Sequence, residues 1–156
     1  MELTIEQALQ QGLTAHKGGK LQDAERLYRA ILQSQPLHPD ANHNLGVLAV
    51  SVNKADVALP LFKIALEANP KIEQFWLSYI DALIKEQQFD NAKQVIAQAK
   101  NQGVDGEKLN SLEAKLALIV QAPTFTLSKQ KKKKKKAKKQ NVIGINPPQE
   151  QLSSLL

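Results

Sequence analysis

Three histidines, His16, His38 and His43, are the side chains here best suited to proton transfer near neutral pH or to metal ligation. Their spacing contains no local pair of the H-x-x-x-H kind that would place two ring nitrogens on one helical face. Cysteine is absent, which excludes thiolate metal sites and any disulfide framework. Gly18-Gly19 followed by Lys20 has the composition of a phosphate-loop fragment. It follows a predicted helix rather than a strand and lacks the spaced glycines, so it reads as a turn. No G-x-S-x-G element and no paired-carboxylate motif is present. The expectation is therefore of no catalytic residues, no metal and no cofactor, and the remaining chemistry is that of recognition.

The densest such chemistry is a basic tract, Lys131, Lys132, Lys133, Lys134, Lys135 and Lys136, flanked by Lys129, Lys138 and Lys139. It accounts for the formal charge of +6. Without these nine lysines, 12 basic residues face 15 acidic ones, a balance of −3. The rest of the chain is mildly acidic, so no general affinity for nucleic acid follows from the net charge. The tract itself would attract a polyanion or an anionic membrane surface. It has no interleaved aromatic residue for base stacking, and the favoured reading is a solvated spacer.

The elements that must position any site are set by an internal repeat with a period of about 34 residues. Gly12 returns as Gly46, and Ala24 as Ala58 and Ala92. Tyr28 returns as Phe62 and then Ile96, and Pro36 as Pro70, with Val104 in the third place. A period of this length marks stacked helical hairpins, none of which buries its apolar face alone. Ala, Leu, Gln and Lys dominate, and only 4% of residues are aromatic, a helical composition.

The spacing predicts A and B helices near 4–17 and 21–34, 39–51 and 55–68, and 73–86 and 89–101. Each A helix ends at a small or polar break: Gly18-Gly19, Ser51 to Asn53, and Gln87-Gln88. The glycine pair suits the left-handed backbone of a helix C-terminus, and Pro36 and Pro70 stop the first two B helices. Asp40 and Asp90 fall near helix starts, where carboxylates favour free N–H groups. Leu109, Leu112, Leu116 and Ile119 form one apolar face over 106–121, predicting a helix that caps the last hairpin. The domain is thus placed at 1–121, with repeats at about 5–38, 39–72 and 73–104. Residues 122–148 read as a disordered lysine-rich linker. Residues 149–156 read as the start of a further, truncated helix. No apolar run reaches the ~20 residues that span a bilayer, and the acidic N-terminus lacks a secretory pattern. The expected location is the cytoplasm.

This pattern resembles the tetratricopeptide repeat. Repeat two carries it best, with Asn42, Leu45, Gly46, Ala49, Ala58, Phe62, Ala65 and Pro70. Repeat one matches with Gly12, Ala15, Gly19, Ala24, Tyr28, Ile31 and Pro36, and departs at Gln11. Repeat three matches with Trp76, Tyr79, Leu83, Phe89, Ala92, Ile96 and Ala99. It departs with Ile80 where a small residue is usual, and lacks the closing proline. The resemblance implies an all-α, right-handed superhelical stack, with core packing as the role of these residues, Trp76 included. It also implies a concave face lined by A helices. The corresponding groove candidates are Gln10, Leu13 and Lys17; His43, Asn44, Val47 and Ser51; and Ser78, Asp81 and Lys85.

The array is similar to those that precede glycosyltransferase or sulfotransferase domains in bacterial proteins. Such arrays place asparagines at the position of Asn44, where the amide offers a donor and an acceptor to a peptide backbone. Gln10 and Ser78 hold the equivalent sites, and the lysine and asparagine clamp for chaperone carboxylates is missing. The function expected is a scaffold that binds a peptide of a partner protein, not an enzyme. One alternative is the substrate-presenting module of a larger transferase; a weaker one is a polyanion or membrane tether working through the lysines.

Overall fold

The computed structural model describes residues 2–121. The lysine tract, the expected linker at 122–148 and the expected helix start at 149–156 lie outside the described residues. Seven helices follow in order: α1 (Ile5–Lys17), α2 (Leu21–Ser34), α3 (Pro39–Ser51), α4 (Ala55–Ala68), α5 (Glu73–Lys85), α6 (Phe89–Asn101) and α7 (Glu107–Val120). Among the described residues there is no strand, and no helix is long and apolar enough to cross a membrane. The predicted repeat helices match α1 to α6 almost end to end.

Two of the seven helix starts, those of α1 and α3, are capped by side chains, signals that escape the repeat pattern. Thr4 and Gln7 form a reciprocal capping box at α1. Gln7 N–H donates to Thr4 Oγ1 at 3.0 Å, and Thr4 N–H to Gln7 Oε1 at 2.9 Å. At α3 the cap is His38, whose Nδ1 accepts from Ala41 N–H at 3.1 Å, with Pro39 in the first turn. Asp40 and Asp90 sit in the first turns of their helices, just inside the caps.

Hairpin turns repeat one backbone device. Gly19, Asn53 and Gln87 hold the same place in successive repeats, and all adopt left-handed backbone, at φ 78°, 63° and 60°. The next N–H closes back on the helix each time: Lys20 to Ala15, Lys54 to Ala49 and Gln88 to Leu83, all at 2.8 Å. The expectation for the glycine pair is corrected in one respect: Gly18 keeps φ −81°, and only Gly19 is left-handed. The closing prolines do more than stop a helix. Asn42 Nδ2 donates to Pro36 O at 3.0 Å, and one repeat later Trp76 Nε1 donates to Pro70 O at 2.8 Å. Two unlike side chains thus tie α3 and α5 to the ends of the repeats before them.

Within a hairpin, the helices meet ring on backbone. A Cβ built on Gly12 would lie 2.5 Å from Tyr28 Cε1, and one on Gly46 would fall closer still to Phe62 Cε1. No side chain fits there while the ring stays. Repeat three solves the same contact with two aliphatic residues: Ile80 takes the glycine position, Ile96 the ring position, and both are buried in one cluster. The departure at Ile80 is therefore a redistribution of volume across a pair. Ala24, Ala58 and Ala92 are fully buried, as close helix approach requires. Tyr28 is buried, its hydroxyl has no hydrogen-bond partner among the described residues, and burial pushes its pKa up to about 12. Phe62 fills the same place without that oxygen.

Alanine is the better helix former by roughly 1 kcal/mol, which alone would favour Gly46→Ala. Overpacking against Phe62 outweighs this, and a net loss of about 1–2 kcal/mol is expected. The double variant Gly46→Ala/Phe62→Leu should lose less than the two single changes together, by about 1 kcal/mol. Denaturant melts of the four proteins check this; additive losses would show that the ring and the glycine do not share one contact.

Candidate functional site

Consecutive A helices touch along the array: α1 with α3, α3 with α5 and α5 with α7. The B helices α2, α4 and α6 pack chiefly against the A helices on either side. Closer spacing on the A side bends the stack toward it, so the A helices line the inner face. The structure places the groove candidates as follows. Gln10 and Lys17 are exposed and Leu13 half-buried on α1. On α3, Asn44 and Val47 are half-buried, while exposed Ser51 turns its hydroxyl back to Leu48 O at 2.6 Å. On α5, Asp81 and exposed Lys85 form an ion pair of 2.8 Å.

His43 departs from the expected open groove position, because its ring is buried at 8% exposure. It lies against Phe75, with ring centroids 4.8 Å apart, and against Phe62, at 5.5 Å. Its Nε2 meets Ser78 Oγ at 2.8 Å, bridging α3 and α5. Gln74 Nε2 donates to the same oxygen at 3.1 Å. The Ser78 hydroxyl has both a hydrogen and a second lone pair to offer Nε2, so the direction of this bond follows the tautomer of the ring. Burial lowers the His43 pKa, more than the Asn44 side chain and the Asp40 charge raise it. Of the candidates on different helices, His43 and Ser78 are the pair joined by a hydrogen bond; they form an internal strut beneath the groove. Among the described residues no group of three metal-ligating side chains converges.

Sequence reasoning missed the far wall. Glu107 follows Glu73 by one repeat period, so α7 begins in the register of a fourth A helix as well as capping the array. Between α5 and α7 runs an open cleft of about 420 Å³, lined by Gln74, Leu77, Ser78, Asp81, Lys108, Ser111, Leu112 and Lys115. Extending the repeat frame by one helix would have found it. A second crevice of about 420 Å³ opens among α4, α5 and α6, with Leu66, Trp76, Tyr79, Gln94 and Gln98 in its walls. Trp76 there has committed its N–H to Pro70, and burial with the Glu67 charge raises the Tyr79 pKa.

A neutral His43 in the fold has a pH signature. The unfolded state takes up its proton near the ordinary 6.5, and the folded state only lower. Stability is then fully present above that value and falls as pH drops through it. His16, lowered by burial, acts in the same sense. Glu86, raised by burial and by Asp56, acts in the opposite sense. The melting temperature should therefore fall between about pH 7.5 and 5.5, and the fall should be smaller in His43→Gln. An identical slope in the variant would show that His43 does not titrate against the fold.

Comparison with known proteins gives the family. Two family models described as tetratricopeptide repeat match residues 9–51 and 49–116, together more than half of the chain. Solved structures similar to it include the first TPR of Spaghetti (RPAP3) bound to an HSP90 peptide. That one is 17% identical with a TM-score of 0.67, covering 78% of this chain and 99% of the other. The Sgt2 TPR domain from Aspergillus fumigatus is 16% identical with a TM-score of 0.66, covering 74% and 78%. The Yersinia enterocolitica chaperone SycD in complex with a peptide of the translocator YopD is 16% identical with a TM-score of 0.63, covering 83% and 97%. At these identities the likeness is one of fold. No curated protein matches.

Proposed function

Because the chain belongs to the tetratricopeptide repeat family, we propose that it is a protein-interaction scaffold that holds a partner peptide along the inner face of its A helices. The observation that carries this reading is the surface over the His43–Ser78 strut. Asn44 stands beside it, half-buried on α3. An amide there can accept from one peptide N–H and donate to a neighbouring C=O, which holds an extended backbone whatever its side chains. Two of the similar structures, of Spaghetti and of SycD, are complexes with peptides, which supports the same use of the same fold. The special positions of the repeats are occupied by packing, and no nucleophile–base pair is assembled among the described residues, so the role proposed is binding without turnover.

A peptide selected from a displayed library against the full chain supplies the ligand. Losing one neutral hydrogen bond costs about 0.5–1.5 kcal/mol, so Asn44→Ala should weaken that peptide roughly threefold to tenfold. The melting temperature should barely move. Phe62→Ala removes a buried ring and should lower stability by about 3–5 kcal/mol, with binding lost only because the hairpin opens. Full-strength binding by Asn44→Ala, or an early melt of that variant, contradicts the groove assignment.

A further inference from the structure

The outer side of α7 is open where the other A helices are covered. In repeats one to three the A helix meets its own B helix through one recurring position. Gly12 and Gly46 lie beneath Tyr28 and Phe62, and Ile80 is fully buried in one cluster with Ile96. One period after Ile80 stands Ala114, which is exposed. Ala117 is exposed where Leu83 is buried, and Leu118 is 74% exposed where Ile84 is buried. Leu118 is the most exposed of the large apolar side chains among the described residues. Leu109 and Leu116 hold the opposite side of α7 in the core. The side that carries Ala114, Ala117 and Leu118 has the residues of a hairpin contact, and none of α1 to α6 covers it.

The sequence directly after α7 does not fit this face. In register it would put Gln130 and Lys133 where Ile96 and Ala99 are buried, and burying an unpaired ammonium is costly. A later segment does fit. The B helices turn Tyr28, Ile31 and Leu32, then Phe62, Ala65 and Leu66, toward the core. Leu152, Leu155 and Leu156 repeat that spacing, and Glu150, Ser153 and Ser154 then fall on the solvent side of a helix. Pro148 suits its first turn. Leu152 set on Ala114 would be a third solution to the volume shared across the pair, after ring on glycine and isoleucine on isoleucine. We propose that residues 149–156 dock as a short helix, antiparallel, on the outer side of α7 in the same chain, and so complete a fourth hairpin. Extended, residues 122–148 would reach ~90 Å, several times the ~21 Å length of α7, so the segment can return to it. A helix this short is unstable alone in water, and the tether supplies it at an effective concentration of roughly millimolar.

The test is amide hydrogen exchange on the full chain, read by NMR at two protein concentrations, beside a free peptide of residues 145–156. The amides of 153–156 should exchange about tenfold more slowly in the chain than in the peptide, at a rate that does not depend on concentration. Ala114→Glu changes an exposed position of α7, and Leu152→Ser changes the segment itself. Each should return these amides to the free-peptide rate while exchange in α2 and α4 stays as it was, which shows that the array remains folded. Free-peptide rates in the unaltered chain overturn the proposal. Protection that grows with concentration also overturns it, because the face then belongs to a second copy. Protection that survives Ala114→Glu overturns it as well, because the segment then docks elsewhere.

Discussion

The structure depends on how closely two helices of one hairpin can approach. In repeats one and two the limit is set by an aromatic ring lying on a glycine, Tyr28 on Gly12 and Phe62 on Gly46. In repeat three it is set by Ile80 and Ile96, which share the same volume differently. Interiors packed to crystal density admit such exchange across a pair but not at one member. The alanines at 24, 58 and 92 are fully buried at the same approach, and the hairpins so formed stack with A helix touching A helix.

Adjacent hairpins are joined by bonds whose geometry recurs while their residues change. Asn42 and Trp76 both donate to the carbonyl of the proline that closes the preceding repeat. Gly19, Asn53 and Gln87 all accept left-handed backbone. Asn tolerates that conformation through its short polar side chain, whereas Gln87 holds it by virtue of the bonds around it. The His43–Ser78 contact belongs to a different class, since it joins the inner edges of two repeats. Burial there disfavours the charged imidazole, so a titratable group sits at the joint between α3 and α5.

Much of this was legible in the residues, and the failures have physical reasons. Helix positions were readable because the period and its breaks are strong local signals. The cap at Thr4 is also legible, as a threonine followed at the capping-box spacing by Gln7, but it lies ahead of the repeat frame and has no counterpart in it. Pro60 lies within α4, on its exposed side, where the lost N–H costs one ladder bond; periodicity overrode a residue that usually ends a helix. His43 could not be placed by spacing alone. Its position faces the groove in the motif, but the neighbouring Phe62 and Phe75 enclose the ring. The apolar face of α7 shows only a cover for the last hairpin; its place beside α5 on the A side comes from the register of Glu107 one period after Glu73.

The account comes down to which side of the stack a ligand uses. Backbone amide shift mapping of the full chain with a library-selected peptide addresses that directly. Binding along the A helices should move the signals of Asn44, Ser78 and Ser111 and leave Gln94 and Gln98, in the walls of the crevice among α4, α5 and α6, where they were. Shifts centred on Gln94 and Gln98 with Asn44 and Ser78 unmoved would contradict it.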